Sequence, residues 1–333
     1  MKYFTRIFAF AACNLALVAC NNDKKGKLLP NVSGKAGEVL VVIDRAQWEG
    51  NLGTAIRDVL ADDCPYLAQR EPLFTVSNVP TNTFNNMFKV HRNILIVNIN
   101  PQNQSSGMVY RSNQWAQPQV VAQINAYDEE GALELFQQNS AIVAEYFEQA
   151  ERDRIISNAK LYEEVSLREP VEKLTGGTIY FPSGYKLRKA TDSFVWIADE
   201  KAHTSQAVLI YKYPADQKDP FTRDNIIAVR NQVMKDNVPG PSDGTYMTTS
   251  TAIEPTTHYL RFHGREFAET RGFWEVYGDF MGGPFVSHSF YSPDGQYIIV
   301  LEAFVYAAIY DKRQYLRQVE SLLYSFEWKK DGK

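Results

Sequence analysis

Residues 269–290, ETRGFWEVYGDFMGGPFVSHSF, hold the densest set of reactive side chains in the chain. Three kinds of chemistry could be built from them. The carboxylates Glu275 and Asp279, joined by Glu302 from the later run YIIVLEAFVYA, could form an acid/base pair of the kind glycosidases hold about 5–10 Å apart across a cleft. Ser287-His288 offers a nucleophile beside a base, but neighbours on a strand point to opposite faces and so cannot pair. Gly282-Gly283 could cradle a phosphate, yet a phosphate loop needs Lys and Ser/Thr at fixed spacing before a helix, and Pro284 follows instead. Glu302 interrupts an otherwise apolar run. A buried acid must be protonated or paired, and Arg271 or His288 could serve as its partner.

Metal and thiol chemistry find less support. His91, His203, His258, His263 and His288 are scattered, with no HExxH or CxxC spacing, so neither a metal nor a cofactor is expected. Cys64 reads as a small packed side chain, since a reactive thiol needs a histidine and a cleft. Trp196, Trp274, Tyr277 and Tyr306 could line a sugar-stacking groove, although aromatic residues on strands more often fill cores.

These side chains need elements to carry them. Over 271–280, Trp274, Val276 and Phe280 fall on one apolar face, while Arg271, Phe273, Glu275, Tyr277 and Asp279 fall on a mixed one, as in a sheet with one side on a core. Residues 281–284 read as the turn and 285–290 as the returning strand. Further strands are expected at FVWIAD, AVLIYKYP, HYLRFH and YIIVLEAFVYA, with SPDGQ (292–296) as a turn. Two helices accompany them, one starting at Asp219-Pro220 and carrying Ile226, Val229, Val233 and Met234, the other capped by Asp311 and carrying Leu316, Val319, Leu322 and Leu323. The first half alternates differently. EVLVVID (38–44), RNILIVNI (92–99) and QVVAQINA (119–126) are continuous apolar strands. A helix containing Gly50 and Gly53 follows the first, and a long helix capped by Asp128 runs to about residue 162. The fold class expected is α+β in two α/β lobes, 37–165 and 166–330, the second a mostly antiparallel sheet with helices packed on it.

The start of the chain concerns location. MKYFTRIFAFAACNLALVAC sets Lys2 and Arg6 before an apolar run too short to span a bilayer permanently, and ends in Leu17-Val18-Ala19-Cys20. That tetrapeptide resembles the bacterial lipobox. The resemblance implies removal of residues 1–19, acylation of Cys20, and a tether over 20–36. Two or three acyl chains make attachment effectively permanent, since each buried methylene contributes about 0.8 kcal/mol. Asn21 rather than Asp after the cysteine favours the outer membrane, facing the periplasm. Cleavage leaves 33 basic and 39 acidic side chains, a net of −6, which argues against a nucleic-acid partner.

The runs NVPGPSDGTYMTT (237–249), RGFWEVYGDFMGGPFVSHS (271–289) and EAFVYA (302–307), with GEVLVVID, EPLF and HRNILIVNI, resemble an uncharacterised lipoprotein family of the Bacteroidota, domain of unknown function 4837. The resemblance spans nearly the whole mature chain and carries no activity or catalytic residues. The order of elements over 176–328 looks like the PsbP and Mog1 type of sandwich, a likeness of fold alone. Together these lead us to expect a membrane-tethered binding or assembly module without catalysis, holding an envelope protein or glycan partner. Its face would comprise Arg271, Glu275, Asp279, His288 and Glu302 with loop residues 239–244. The alternative is an envelope glycan or peptide hydrolase using paired carboxylates.

Overall fold

The structure, a computed structural model, describes residues 28–329. The lipobox and Cys20 lie outside them. Within them no helix is long and apolar enough to cross a membrane.

The N-terminal lobe comprises β1 (Glu38–Val42), α1 (Arg45–Glu49), α2 (Asn51–Leu60), β2 (Thr75–Val79), α3 (Asn86–Lys89), β3 (Asn93–Ile99), β4 (Gly107–Ser112), β5 (Val120–Ala126) and α4 (Glu129–Leu161). Its sheet runs β2-β1-β3-β5-β4, parallel except for the last strand. The continuous apolar runs are β1, β3 and β5, buried on both faces as parallel strands must be. β2 and β4 are the edges. Their polar, half-exposed residues give no such run, and the sequence reading missed both. The helix expected across Gly50 and Gly53 is broken. Gly50 leaves helical geometry at ψ −166° and separates α1 from α2, while a Cβ on Gly53 would sit 2.0 Å from the Trp48 carbonyl oxygen.

The C-terminal lobe comprises α5 (Arg168–Thr175), β6 (Gly177–Thr178), β7 (Lys186–Ala190), β8 (Phe194–Lys201), β9 (Thr204–Pro214), α6 (Arg223–Asn237), β10 (Tyr246–Thr249), β11 (Thr256–Phe262), β12 (Arg265–Tyr277), β13 (Gly282–Tyr291), β14 (Tyr297–Ala307), α7 (Arg313–Tyr324) and β15 (Glu327–Trp328). The main sheet is antiparallel, ordered β10-β12-β13-β14-β9-β8-β7, with β11 also paired to β12. Helices pack on both of its faces. Ile299, Leu301, Ala303 and Val305 of β14 meet Val171 and Leu174 of α5 and Leu316, Val319, Leu322 and Leu323 of α7. Val300 and Phe304, on the other face, meet Met234 of α6 and Val238. Each such aliphatic or Phe side chain contributes about 1.5–3 kcal/mol when fully buried. The α+β class therefore holds, but the second half is a three-layer sandwich.

The turn of the opening stretch is displaced by three residues. β12 ends at Tyr277, Gly278 has φ +82°, and β13 begins at Gly282, so Pro284 lies inside a strand opposite Phe273. Phe280, expected on the apolar face, is fully exposed in the turn. The helix expected from Asp219-Pro220 begins only at Arg223.

Two helices join the lobes. Asp128 caps α4 as expected, its Oδ1 accepting from the Gly131 amide at 2.8 Å. Phe136, Val143 and Phe147 of α4 pack in the N-terminal core, whereas Ala159, with Ile155 and Ile156, belongs to the C-terminal one. Asp311 does not cap α7. The Glu71 carboxylate, from the loop before β2, accepts from the amides of Lys312 and Arg313 at 2.7 Å each. An anion at a helix N-terminus satisfies orphan amides and the positive end of the dipole together.

Candidate functional site

The residues selected from the sequence do not form one face. β12 and β13 pair so that Glu269 lies opposite His288, and β13 and β14 so that Ser287 lies opposite Glu302. Side-chain alternation then sends Glu269, Arg271 and His288 towards α7, and Ser287 and Glu302 towards α6.

On the α7 side a buried polar cluster has formed. The Arg271 guanidinium bonds Glu269 at 2.7 Å and is bidentate on Glu320 of α7, at 2.5 and 3.2 Å. Tyr324 Oη donates to Glu269 at 2.8 Å, and His288 Nε2 lies 3.3 Å from the same oxygen. Arg152 of α4 stacks 3.9 Å over the Tyr324 ring. Burial works against ionisation of Glu269, but Arg271 and the hydrogen bonds beside it hold its carboxyl well below the usual range. His288 moves the other way. Burial lowers it to about 4 despite its neighbouring carboxylate, so at neutral pH the ring is uncharged.

On the α6 side Glu302 and Arg230 pair with neither exposed at all. The bonds measure 2.7, 3.0 and 3.1 Å. Arg230 also donates to Thr249 Oγ1 at 2.9 Å and stacks 3.9 Å over Phe285. Burial pushes the Glu302 carboxyl up, against the pull of Arg230. The expected need for a partner is therefore met, but by neither Arg271 nor His288. Nothing about Arg230, 72 residues away in a helix that also carries Arg223, marked it in the sequence.

Glu275, half-buried near the end of β12, has the parity of Arg271 and so points away from the Glu302 side, and Asp279 is half-buried in the turn. Glu302, held in its buried pair with Arg230 on the other face, therefore does not share a cleft with Glu275. Cys64, partly buried near Arg317 and Glu148, has its thiol pushed up to about 11, first by burial. It is not a thiolate nucleophile at neutral pH. Among the described residues, no three His, Cys, Asp or Glu side chains gather where they could hold a metal ion.

The cleft between the lobes has a volume of about 410 Å³, and its buried acid, Glu151, is fully engaged. Arg92 and Arg154 approach it at 2.9 Å and Asn93 at 2.7 Å. That is the architecture of a structural ion cluster, with both carboxylate oxygens hydrogen-bonded.

A different place does collect unused binding potential. Past the end of α6 the main sheet is uncovered, and a pocket of about 250 Å³ opens there. Trp274 forms its floor, held by Nε1 donating to the Val305 carbonyl at 3.1 Å. Phe304 and Tyr306 meet that ring at 5.4 and 6.4 Å between centroids. Trp196, Met247 and Met281 supply walls, and residues 238–241 of the following loop close one side. Two glycines permit this packing. A Cβ on Gly283 would lie 2.0 Å from the Val305 oxygen, and one on Gly240 would meet Thr245 at 2.3 Å and Val276 at 2.7 Å. The lining is apolar except for Glu200 and Ser205, and the buried Trp196 Nε1 has no hydrogen-bond partner. Three of the four aromatics singled out in the sequence thus converge here. Tyr277 does not, stacking instead on Tyr246 at 5.0 Å. Part of the loop 239–244 converges with them.

Comparison with known proteins divides the chain in the same place as its two sheets. Residues 164–325 match a domain of unknown function (DUF4837), and residues 32–160 match another, DUF8532. The resemblance drawn across nearly the whole mature chain therefore separates into two, with GEVLVVID, EPLF and HRNILIVNI in the second. No curated protein matches. A crystal structure from Bacteroides thetaiotaomicron VPI-5482 is similar over 48% of this chain and 48% of its own, at 10% identity and a TM-score of 0.26. So slight a likeness carries no argument.

Proposed function

We propose that this chain is a lipid-anchored protein of the bacterial outer membrane, facing the periplasm, that binds a protein partner without catalysis through the aromatic pocket beside residues 238–241. The anchor rests on Leu17-Val18-Ala19-Cys20 behind a charged start and an apolar run. The observation that carries the binding role is the pocket itself. It is an apolar aromatic recess on a sheet whose buried acids are otherwise committed to ion pairs.

Its size decides between kinds of ligand. Small-molecule sites usually occupy about 300–1,000 Å³. At about 250 Å³ this recess suits one inserted side chain better than a whole carried ligand. Interfaces concentrate their energy in such anchors, where a few aromatic residues in a desolvated pocket dominate. A glycan would need more polar groups than Glu200 and Ser205 to match its hydroxyls, which places it second to a polypeptide.

Site-specific photocrosslinking in intact cells tests this, with the reactive residue placed at Met281 or Pro241 and, as a control, at exposed Tyr162. A discrete protein adduct from the pocket positions alone is expected. Equal labelling from all three, or none from the pocket, would overturn the binding role. The anchor is tested separately by mass spectrometry of the mature N-terminus, where an unmodified Cys20 thiol would remove it.

A further inference from the structure

On the opposite face of the same sheet a cation stands without a counter-ion among the described residues. Arg265, the first residue of β12, bonds the Leu323 carbonyl at 3.1 Å through Nη2, while its buried Nη1 has no hydrogen-bond partner. Among the described residues no carboxylate lies within ion-pair distance of it. The guanidinium instead rests among rings, 5.2, 4.9 and 5.1 Å from the centroids of Phe267, Phe290 and Phe326. Burial lowers its pKa to about 10. Rings offset part of the desolvation of such a group, but an unpaired buried charge remains costly.

Beside it is a cavity of about 550 Å³, walled by Phe262, Tyr324, Phe326 and Trp328, with Glu327 also on the lining but paired to Lys160 at 2.5 Å. The β11–β12 turn crosses its rim in an unusual conformation. His263 and Gly264 both have positive φ, +47° and +83°, as the two central residues of a tight hairpin do when they are Asn-Gly or Gly-Gly. Histidine is a costly choice there, since a side chain with a Cβ adopts this region reluctantly. It puts a second hydrogen-bonding group on the cavity lining, next to Arg265.

We propose that this cavity binds a carboxylate carried on an apolar or aromatic body, with the Arg265 guanidinium as counter-ion, His263 as a second donor and the rings receiving the body. A planar monoanion matches the guanidinium fork, whereas a phosphate dianion would bring a second charge with no second cation on the lining. The site is independent of the pocket beside residues 238–241, because the two lie on opposite faces of the sheet. Both a free organic acid and the C-terminus of a peptide have this chemistry.

Calorimetric titration of the full chain with benzoylglycine, with a tetrapeptide ending in Phe, and with the carboxamide of each tests it, using Trp328 fluorescence as a second readout. Either acid should bind while its carboxamide binds about tenfold more weakly or not at all, and the tighter acid identifies the source. Arg265→Met should weaken the acid about tenfold or more and leave the carboxamide unchanged. His263→Gly relieves the turn and keeps the fold, so it serves even if Arg265→Met does not fold. It should raise the melting temperature yet weaken the acid about threefold. Equal binding of acid and carboxamide, no binding by either acid, or undiminished acid binding by folded His263→Gly would overturn the proposal.

Discussion

The two faces of the C-terminal sheet each bury an arginine–carboxylate cluster, and they bury them differently. Towards α6, one arginine meets one acid in a site closed to water, with a threonine and a phenylalanine ring completing the shell. Towards α7, Arg271 bridges two acids from two elements, and a tyrosine, a histidine and Arg152 of the other lobe extend the network. The first fastens a single helix to its sheet. The second lies where α4, α7 and the sheet meet, so it fastens lobe to lobe. The local environment of an acid, rather than its place on a conspicuous motif, determines what it does.

The largest effect should come from breaking the closed pair. Arg230→Met leaves Glu302 buried without a partner, and removal of one member of a buried pair costs about 3–5 kcal/mol. The double variant Arg230→Met/Glu302→Leu removes both charges at similar volume and should recover most of that loss. Urea unfolding of the two proteins checks this. A double variant as unstable as the single one would mean that the ion pair itself, rather than an orphaned charge, carries the stability.

Next in size is the clasp between the lobes. Glu71 supplies two charge-assisted bonds to the start of α7 from 241 residues away. Glu71→Ala should cost about 2–3 kcal/mol, because hydrogen bonds to charged groups contribute about 1.5–3 kcal/mol and two amides would be left open. Hydrogen exchange should show faster opening of the first turn of α7 without comparable change in α6.

How much of this was legible depends on range. The parity of 271–277, the Asp128 cap and the continuous strands 93–99 and 120–126 are local patterns, and the structure reproduces them. Glu302 was recognisable as an acid in need of a partner, because an ionisable group inside an apolar strand has few alternatives. Its partner was not recognisable, since Arg230 sits on a helix whose register against the sheet is set by tertiary packing. The same holds for Glu71, which caps a helix by contact between lobes. The aromatic pocket was half legible. Trp196, Trp274 and Tyr306 stood out by type, but only strand order brings β8, β12 and β14 to one recess.

Acid should distinguish the two clusters by sign. His288 has a folded pKa of about 4, below the unfolded value near 6.5, because burial disfavours its charged form. Its contribution is complete above about pH 6.5 and is lost as pH falls through about 4. Glu269 is also lowered, by Arg271 against its own burial, so its share is lost below the ordinary carboxylate range. Glu302 is raised by burial. The folded state takes up its proton more readily than the unfolded one, so acidification favours that cluster. Between pH 6.5 and 4, His288→Gln should flatten the fall in unfolding free energy by up to about 1.4 kcal/mol per pH unit, one proton's worth. Glu302→Gln removes a group whose proton uptake offsets that fall, so it should steepen the limb rather than flatten it. Equal slopes in wild type and His288→Gln would show that the histidine is not held neutral.

The smallest effect on stability tests the contrast between buried and exposed members of the opening stretch. Phe280 lies wholly open in the turn between β12 and β13, next to Met281 on the wall of the aromatic pocket. An isolated exposed apolar residue needs no special account, but one beside an apolar recess enlarges the surface available to a partner. Phe280→Ser removes no buried area and no hydrogen bond made by its side chain, so unfolding should shift by less than about 0.5 kcal/mol. If the recess receives a partner's side chain, the yield of crosslinks from Met281 should still fall. A loss of stability well beyond that range would mean that the phenyl ring packs within the chain. Unchanged stability with unchanged crosslinking would confine the binding surface to the far wall, at Trp196 and residues 238–241.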